Sequence, residues 1–256
     1  MTQIIAKPRF VALFDILAFK QLRETRGTDG LYSLFSRSIV ALIQHAAMPV
    51  PQKVERNGQT ILIPDPASKR CGFYYFSDTI IYFTDDDSFG SFLNIVFTSR
   101  ELLNSGLGTR APMRGAIGHG DFIDDVANRI FLGSALEDAY SYCESQVWSG
   151  CILTPGATAF CQQAEYFGTL KQILEQQPGI RRNVDLLVEY ECPLQTLKRD
   201  KPREYFTERV VCINWTLNVF EGAAYKVFPQ SVELHPLLIR QNTEDFELWA
   251  RQRKQL

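Results

Sequence analysis

The chain is poor in the residues from which most metal and nucleophilic centres are built. Only three histidines occur, His45, His119 and His235. They are far apart, without metal-ligand spacing, and His119 stands between glycines at a strand end. There is no G-x-x-x-x-G-K-[ST] stretch, which excludes a P-loop enzyme. Ser149-Gly150-Cys151 lacks the setting of a nucleophile elbow and reads as strand. The six cysteines (Cys71, Cys143, Cys151, Cys161, Cys192 and Cys212) include no C-x-x-C pair. In a chain of 256 residues they are expected to be reduced core thiols. Formal net charge is only -2, so no overall basic field points to nucleic acid or a membrane surface. Arg181-Arg182 and Lys198 to Lys201 read as solvated loops. No apolar run approaches the ~20 residues of a spanning helix. The start, MTQIIAKPRF, has no signal-peptide core, so a cytoplasmic protein is expected.

What the chain does have is two acids set inside apolar runs. Asp15 lies in the middle of FVALFDILAFK, Phe10 to Lys20. Asp78 lies in FYYFSDTIIYF, Phe73 to Phe83. Burying even a neutral polar group without a partner costs about 2 kcal/mol or more, and a carboxylate costs more. Asp15 must therefore be hydrogen-bonded, ion-paired or holding a cation.

The surrounding pattern predicts a mixed fold. Ile4 to Leu17 reads as a first strand. A short helical piece at Phe19 and Leu22 is expected to break at Gly27-Thr28-Asp29-Gly30. Apolar residues from Leu31 to Ile43 then repeat at helical spacing as far as about His45. Asn57-Gly58 between extended arms predicts a hairpin excursion over Val54 to Ile61. Phe73 to Phe83 reads as two strands turning at Ser77-Asp78-Thr79. Thr84 to Ser88 is expected to open a helix, with Asp85, Asp86 and Asp87 as a solvated cap at its positive end rather than a metal site. Gly106 and Gly108 end that helix.

Further strands are expected at Pro112 to Phe122, Trp148 to Leu153, Val184 to Tyr190 and Val210 to Trp215. Helices are expected over Ala135 to Gln146, over Ala157 to Leu174 and in the tail from Asn242. The order β-α-β-β-α-β followed by additions predicts an α+β fold. It is a ferredoxin-like split βαβ core with a hairpin insertion and C-terminal strands and helix, in one domain over 1–256. In such a core the end of the first strand lies beside the following hairpin, so Asp15 and Asp78 can meet. Two adjacent carboxylates repel, and a divalent cation removes the conflict. Mg²⁺ or Mn²⁺ suits one or two carboxylates completed by water and substrate phosphates. The alternative is that the two acids cap turns or pair with an arginine.

Four stretches in order resemble class III nucleotide cyclases. Phe14-Asp15-Ile16-Leu17-Ala18-Phe19 is similar to the family's first metal motif. Phe76-Ser77-Asp78-Thr79 falls where its second metal aspartate sits. Met113-Arg114-Gly115-Ala116-Ile117-Gly118-His119-Gly120 resembles the strand R-x-G-I-x-x-G. Leu132-Gly133-Ser134-Ala135-Leu136-Glu137-Asp138-Ala139 resembles the helix start G-x-x-V-N-x-A. They span about residues 8–155, leaving about 156–256 as an extension. Within the family the likeness is to the bacterial pyrimidine cyclases of the Pycsar anti-phage systems, through the D-I-L-x-F opening, the F-S-D-T-I turn and the G-x-A-L-E-x-A-Y helix followed by W-x-G. Asn214-Trp215 and Asn242-Thr243 also fit that group.

The resemblance implies that Asp15, Asp78 and the Ile16 carbonyl bind two Mn²⁺ or Mg²⁺ ions. It implies that backbone N–H groups from Leu17 to Lys20, including Phe19 and Lys20, hold a triphosphate, and that UTP or CTP is closed to cUMP or cCMP as a defence signal. It also implies a head-to-tail homodimer with sites between subunits. The departures are specific. Tyr74 stands where purine cyclases carry a base-contacting lysine, and narrows the pocket toward a pyrimidine unless it is a core aromatic. Glu137 and Ser141 replace the asparagine and arginine of the later helix, so Arg114, Arg110 or Arg70 is left to supply a cation to the transition state. Ala18 replaces a glycine. A catalytically degenerate nucleotide- or partner-binding module and a purine cyclase are the alternatives.

Overall fold

In the computed structural model, residues 5–48, 51–56, 59–64, 69–109, 111–176, 186–197, 202–218 and 234–253 are described. Strand β1, Lys7–Ile16, is the centre. From Arg9 to Phe14 every side chain is buried, on alternating faces, which is the pattern of a strand covered on both sides. It pairs antiparallel with β5, Thr79–Phe83, on one edge and with β6, Met113–Asp125, on the other. Strand β4, Gly72–Phe76, adds outside β5. The order β4-β5-β1-β6 is the split βαβ arrangement the sequence predicts.

Beyond β6 the same sheet continues through β8, Cys151–Leu153, which runs parallel to β6. Strands β10, Tyr205–Ile213, and β9, Leu187–Gln195, complete it as an antiparallel pair. A short β7, Ile130–Leu132, folds back on the end of β6. The insertion is a separate two-stranded sheet, β2 (Pro51–Arg56) with β3 (Gln59–Pro64), in register from Pro51↔Pro64 to Arg56↔Gln59. That is the Asn-Gly hairpin, with its turn outside the described residues.

Helices cover both faces. Phe10 points to one face, where its ring meets Phe92 of α3 (Phe89–Gly108) at 5.7 Å and Phe160 of α5 (Pro155–Gln163) at 5.8 Å. Phe10 and Phe92 are fully buried, and each such ring removes apolar surface worth about 1.5–3 kcal/mol. Val11, the next residue, points to the other face, which α4 (Ser134–Ser145) covers with its buried stripe Ala135, Ala139 and Cys143. Gly118, opposite Val11, makes that approach possible. A Cβ there would lie 2.2 Å from the Ala135 carbonyl oxygen, a backbone atom that cannot swing away.

Helix α1, Phe19–Leu34, is interrupted at Gly27 (φ 67°, ψ 174°), as the glycines at residues 27–30 predict, and helical geometry resumes beyond it. It leads through one π-helical turn, Phe35–Ile39, into α2, Val40–Ala46. Several boundaries differ from expectation. The aspartates 85–87 precede α3 rather than forming its first turn, and Ser88 is the N-cap. Of the three, Asp86 supports the cap: its carboxylate accepts from Ser88 N–H, Ser88 Oγ and Ser91 Oγ.

The long helix expected over Ala157 to Leu174 is two, α5 and α6 (Tyr166–Gln176), broken where Glu165 turns left-handed at φ 57°. Trp148 is not in a strand; its Nε1–H donates to the Gln146 side chain at 2.9 Å. The last helix, α7, starts earlier than expected, at Leu234–Arg253. Its Asn242 donates to the Val147 carbonyl at 2.7 Å, and its Thr243 hydroxyl accepts from Ser149 N–H at 2.8 Å. All six cysteines are free and buried. No helix among the described residues is long and apolar enough to cross a membrane.

Gly118→Ala is expected to cost about 1–3 kcal/mol by forcing α4 off the sheet, read as a fall in the urea midpoint. An unchanged midpoint would mean that α4 is not seated against Gly118.

Candidate functional site

The end of β1 brings the two acids to one place. Asp15 is opposite Thr79 of β5 and opposite Arg114 of β6. Asp78 is the second residue of the two-residue turn between β4 and β5, and its carbonyl accepts the Ile16 N–H at 3.0 Å. The Asp78 charge is close enough to disfavour ionisation of Asp15. The turn ends the period-two alternation, so Asp78 does not continue the face of Tyr74 and Phe76 as a straight strand would.

Two backbone outliers flank the acids. Ser77, before Asp78, has φ 56°, and Ala18, the N-cap of α1, has φ 58°. A non-glycine residue there costs about 1–2 kcal/mol. Ala18 offers no side-chain cap to the helix that follows.

Arg114 supplies the charge opposite Asp15. Its Nε donates to Asp15 Oδ2 at 3.1 Å, and its Nη2 lies 2.9 Å from the same oxygen as an ion pair. Nη2 also reaches Glu144 Oε1 at 2.9 Å, and Nη1 donates to the Glu144 and Gln146 carbonyls at 3.0 and 3.1 Å. Burial pushes the Asp15 carboxyl up to about 6; Arg114 works against this, and Asp78 and Glu144 add to it. Burial also opposes the Arg114 cation, but the carboxylates around it more than offset that and hold it charged.

Of the other residues singled out in the sequence, Phe19 packs edge-on to Phe35 at 5.8 Å. Lys20 is exposed, 3.9 Å from Glu24. Tyr74 is half-buried, its ring 4.8 Å from Phe131 of β7, within an aromatic group that includes Phe83 and Phe122. Glu137 and Ser141 are exposed one turn apart on α4, the Ser141 hydroxyl donating to the Glu137 carbonyl. Arg70 lies before β4, at the end away from the Ser77-Asp78 turn, and is not brought to the acids. Arg110 lies outside the described residues. His119 stacks on Phe160 at 3.7 Å with Asp87 at 3.3 Å, in a cluster on the other face.

Sequence reasoning missed Glu144. The stripe Ala135, Ala139, Cys143 puts residue 144 beside the buried face of α4, but its partner lies 30 residues earlier.

Among the described residues no three His, Cys, Asp or Glu side chains are grouped to hold a metal. Two carboxylates are nevertheless a sufficient protein contribution for Mg²⁺ or Mn²⁺, which take their remaining oxygens from water and phosphate. The hard oxygen donors of Asp15 and Asp78 fit that chemistry.

No protein-family model matches the chain, and no curated protein does. Among solved structures the chain is similar to the catalytic core of a rhodopsin-guanylyl cyclase with converted specificity in complex with ATPalphaS, at 8% identity over 81% of this chain and 95% of that one, with a TM-score of 0.45. It is also similar to an adenylate/guanylate cyclase/hydrolase from Silicibacter pomeroyi, at 13% identity over 82% of this chain and 98% of that one, with a TM-score of 0.42. Likeness at this level gives the chain neither a family nor an activity.

Two outcomes are expected. The Asp15 carboxyl binds its proton more tightly folded (about 6) than its ordinary value of 3.8. It therefore favours folding below about pH 4, and that contribution is lost as pH rises toward about 6. Asp15→Asn should then gain on wild type by up to about 3 kcal/mol between pH 4 and 7 in urea titrations at each pH. A constant difference across that range would uncouple the Asp15 proton from folding. Ala18→Gly should raise stability by about 0.5–1 kcal/mol, since glycine adopts positive φ without the steric cost; a loss would show that Ala18 is not held left-handed.

Proposed function

We propose that the protein is a metal-dependent nucleotide cyclase. It closes a pyrimidine nucleoside triphosphate, UTP or CTP, to its 3′,5′-cyclic monophosphate with release of pyrophosphate, as a second messenger of anti-phage defence. The observation that carries this reading is the meeting of Asp15 at the end of β1 with Asp78 in the β4–β5 turn. The ordered resemblance of four sequence stretches to class III cyclases supplies the reaction.

Asp15 and Asp78, with the Ile16 carbonyl, would hold two Mn²⁺ or Mg²⁺ ions. When bound, such ions supply Lewis acidity that favours loss of the 3′-hydroxyl proton and neutralises the departing pyrophosphate. The N–H groups opening α1 at Phe19 and Lys20 face the triphosphate, where a helix start favours anions. The 3′-oxygen bonds to the α-phosphorus as the bond from that phosphorus to the bridging oxygen of pyrophosphate breaks, and the hydroxyl proton leaves to solvent. Arg114 is the cation already beside Asp15. Tyr74, held against Phe131, narrows the space for the base. The protein acts as a head-to-tail homodimer.

A second reading is a nucleotide-binding module without turnover. The ion pair of Arg114 with Asp15 favours it, because that arginine occupies one oxygen a cation would need.

The deciding experiment supplies each of the four ribonucleoside triphosphates with Mn²⁺ and identifies the products by mass. One cyclic pyrimidine nucleotide is expected. A cyclic purine would keep the two acids and remove the argument from Tyr74; binding without product would favour the module. Asp15→Ala and Asp78→Ala should each lower turnover about a hundredfold or more while the protein stays folded by circular dichroism. Near-full activity in either would end the two-metal assignment.

A further inference from the structure

Arg114 has more anchors than an ion pair with Asp15 requires. Two of its contacts go to Asp15 Oδ2, from Nε and Nη2. Three go elsewhere: to the Glu144 carboxylate and to the Glu144 and Gln146 carbonyls. The carbonyls are fixed from behind. Gln146 is fully buried, its side-chain amide donating to the Gly115 carbonyl at 2.7 Å and its side-chain oxygen accepting from Trp148. The Glu144 carbonyl also accepts from the Gln195 amide at 3.3 Å. The backbone of Arg114 is tied to the same helix, since its carbonyl accepts from Cys143 Sγ. Glu144 is the more exposed of the two carboxylates, with 36% of its side chain accessible against 19% for Asp15.

Taking Arg114 off Asp15 with no other anion in reach would leave a buried cation unpaired, at a cost of several kcal/mol. Glu144 removes that obstacle. We propose that Glu144 is a positioning residue that retains Arg114 when Asp15 turns to a divalent cation. It thereby sets how readily the site accepts the metal. The inference rests on the two-carboxylate metal reading above. Glu144 needs no contact with metal or nucleotide for this role. It works through the guanidinium, and Asp15 and Arg114 separate without either being left uncompensated.

The test is calorimetric titration of the full chain with Mn²⁺ alone, without nucleotide. Wild type should bind. Glu144→Gln should bind about tenfold more weakly, the size of effect that loss of a supporting partner has at metal centres, because Arg114 is left with Asp15 as its one carboxylate. In an Arg114→Met background the same Glu144→Gln change should have less than about a twofold effect, since the residue through which it acts is gone. Unchanged affinity in the single variant overturns the proposal. So does an equal loss in both backgrounds, which would make Glu144 a general negative charge.

A second measurement does not depend on Arg114→Met folding. The Arg114 Nε–H resonance of the wild-type protein, assigned by its absence in Arg114→Lys, should shift as Mg²⁺ is added. Saturation with Mg²⁺ without a shift overturns the proposal. A wild type that binds neither ion removes the metal reading and this inference together, and that failure is recognised without any variant.

Discussion

The structure is arranged around one constraint: a carboxylate at the end of a strand buried on both faces. Asp15 sits where β1 leaves the core, between Thr79 and Arg114 on the neighbouring strands. The sheet order follows from the need to cover β1, but its end must also be electrically balanced. Arg114, directly opposite in the register, provides that balance, and the pair fixes which residue of β6 faces which residue of β1. A slip of one residue would send Arg114 to the opposite face and leave Asp15 facing an apolar neighbour.

The glycines of β6 serve the same end. At Gly118 the absence of a side chain lets α4 lie on the sheet, and the position of α4 is what brings Glu144 to Arg114. A packing requirement four residues along the strand thus decides the electrostatics of the site. The tie from Asn242 and Thr243 in α7 to the segment 147–149 extends the support from the other side. The C-terminal additions are therefore part of what holds the segment after Gln146, and with it one of the carbonyls on which Arg114 rests.

Much of the core was legible in the sequence because its signals are local. Ser77-Asp78 between aromatic runs is turn chemistry, Asn57-Gly58 is hairpin chemistry, and the two-sided burial of β1 is written in an unbroken apolar run. What could not be read depends on register or on backbone strain. The break between α5 and α6 falls at Glu165, in a left-handed conformation without the glycine or proline that would announce it. The partner of Asp15 lies 99 residues away, and a sequence gives no register between β1 and β6. Arginine pairing was open as an alternative; which arginine, and that it would bring Glu144 with it, needed the fold.

Burial and the proposed metal role pull on Asp15 in opposite directions. Removing it from water raises its proton affinity and makes the bare carboxylate costly; in the proposed two-metal reading, a cation coordinating Asp15 would offset the desolvation already incurred. An arginine is a strong competitor for the same oxygen, since it is always charged and donates from two nitrogens. In that reading, a site that used arginine alone to balance Asp15 would hold the metal-free form too well. Sharing the guanidinium between Asp15, Glu144 and two carbonyls avoids this: the pair is strong enough to keep β1 and β6 in register, while most of the partners of Arg114 do not involve Asp15. The left-handed residues Ala18 and Ser77 on either side of the acids add local strain that the surrounding sheet sustains. Stability is conceded at both turns that present Asp15 and Asp78, and this sets these turns apart from ordinary ends of strands.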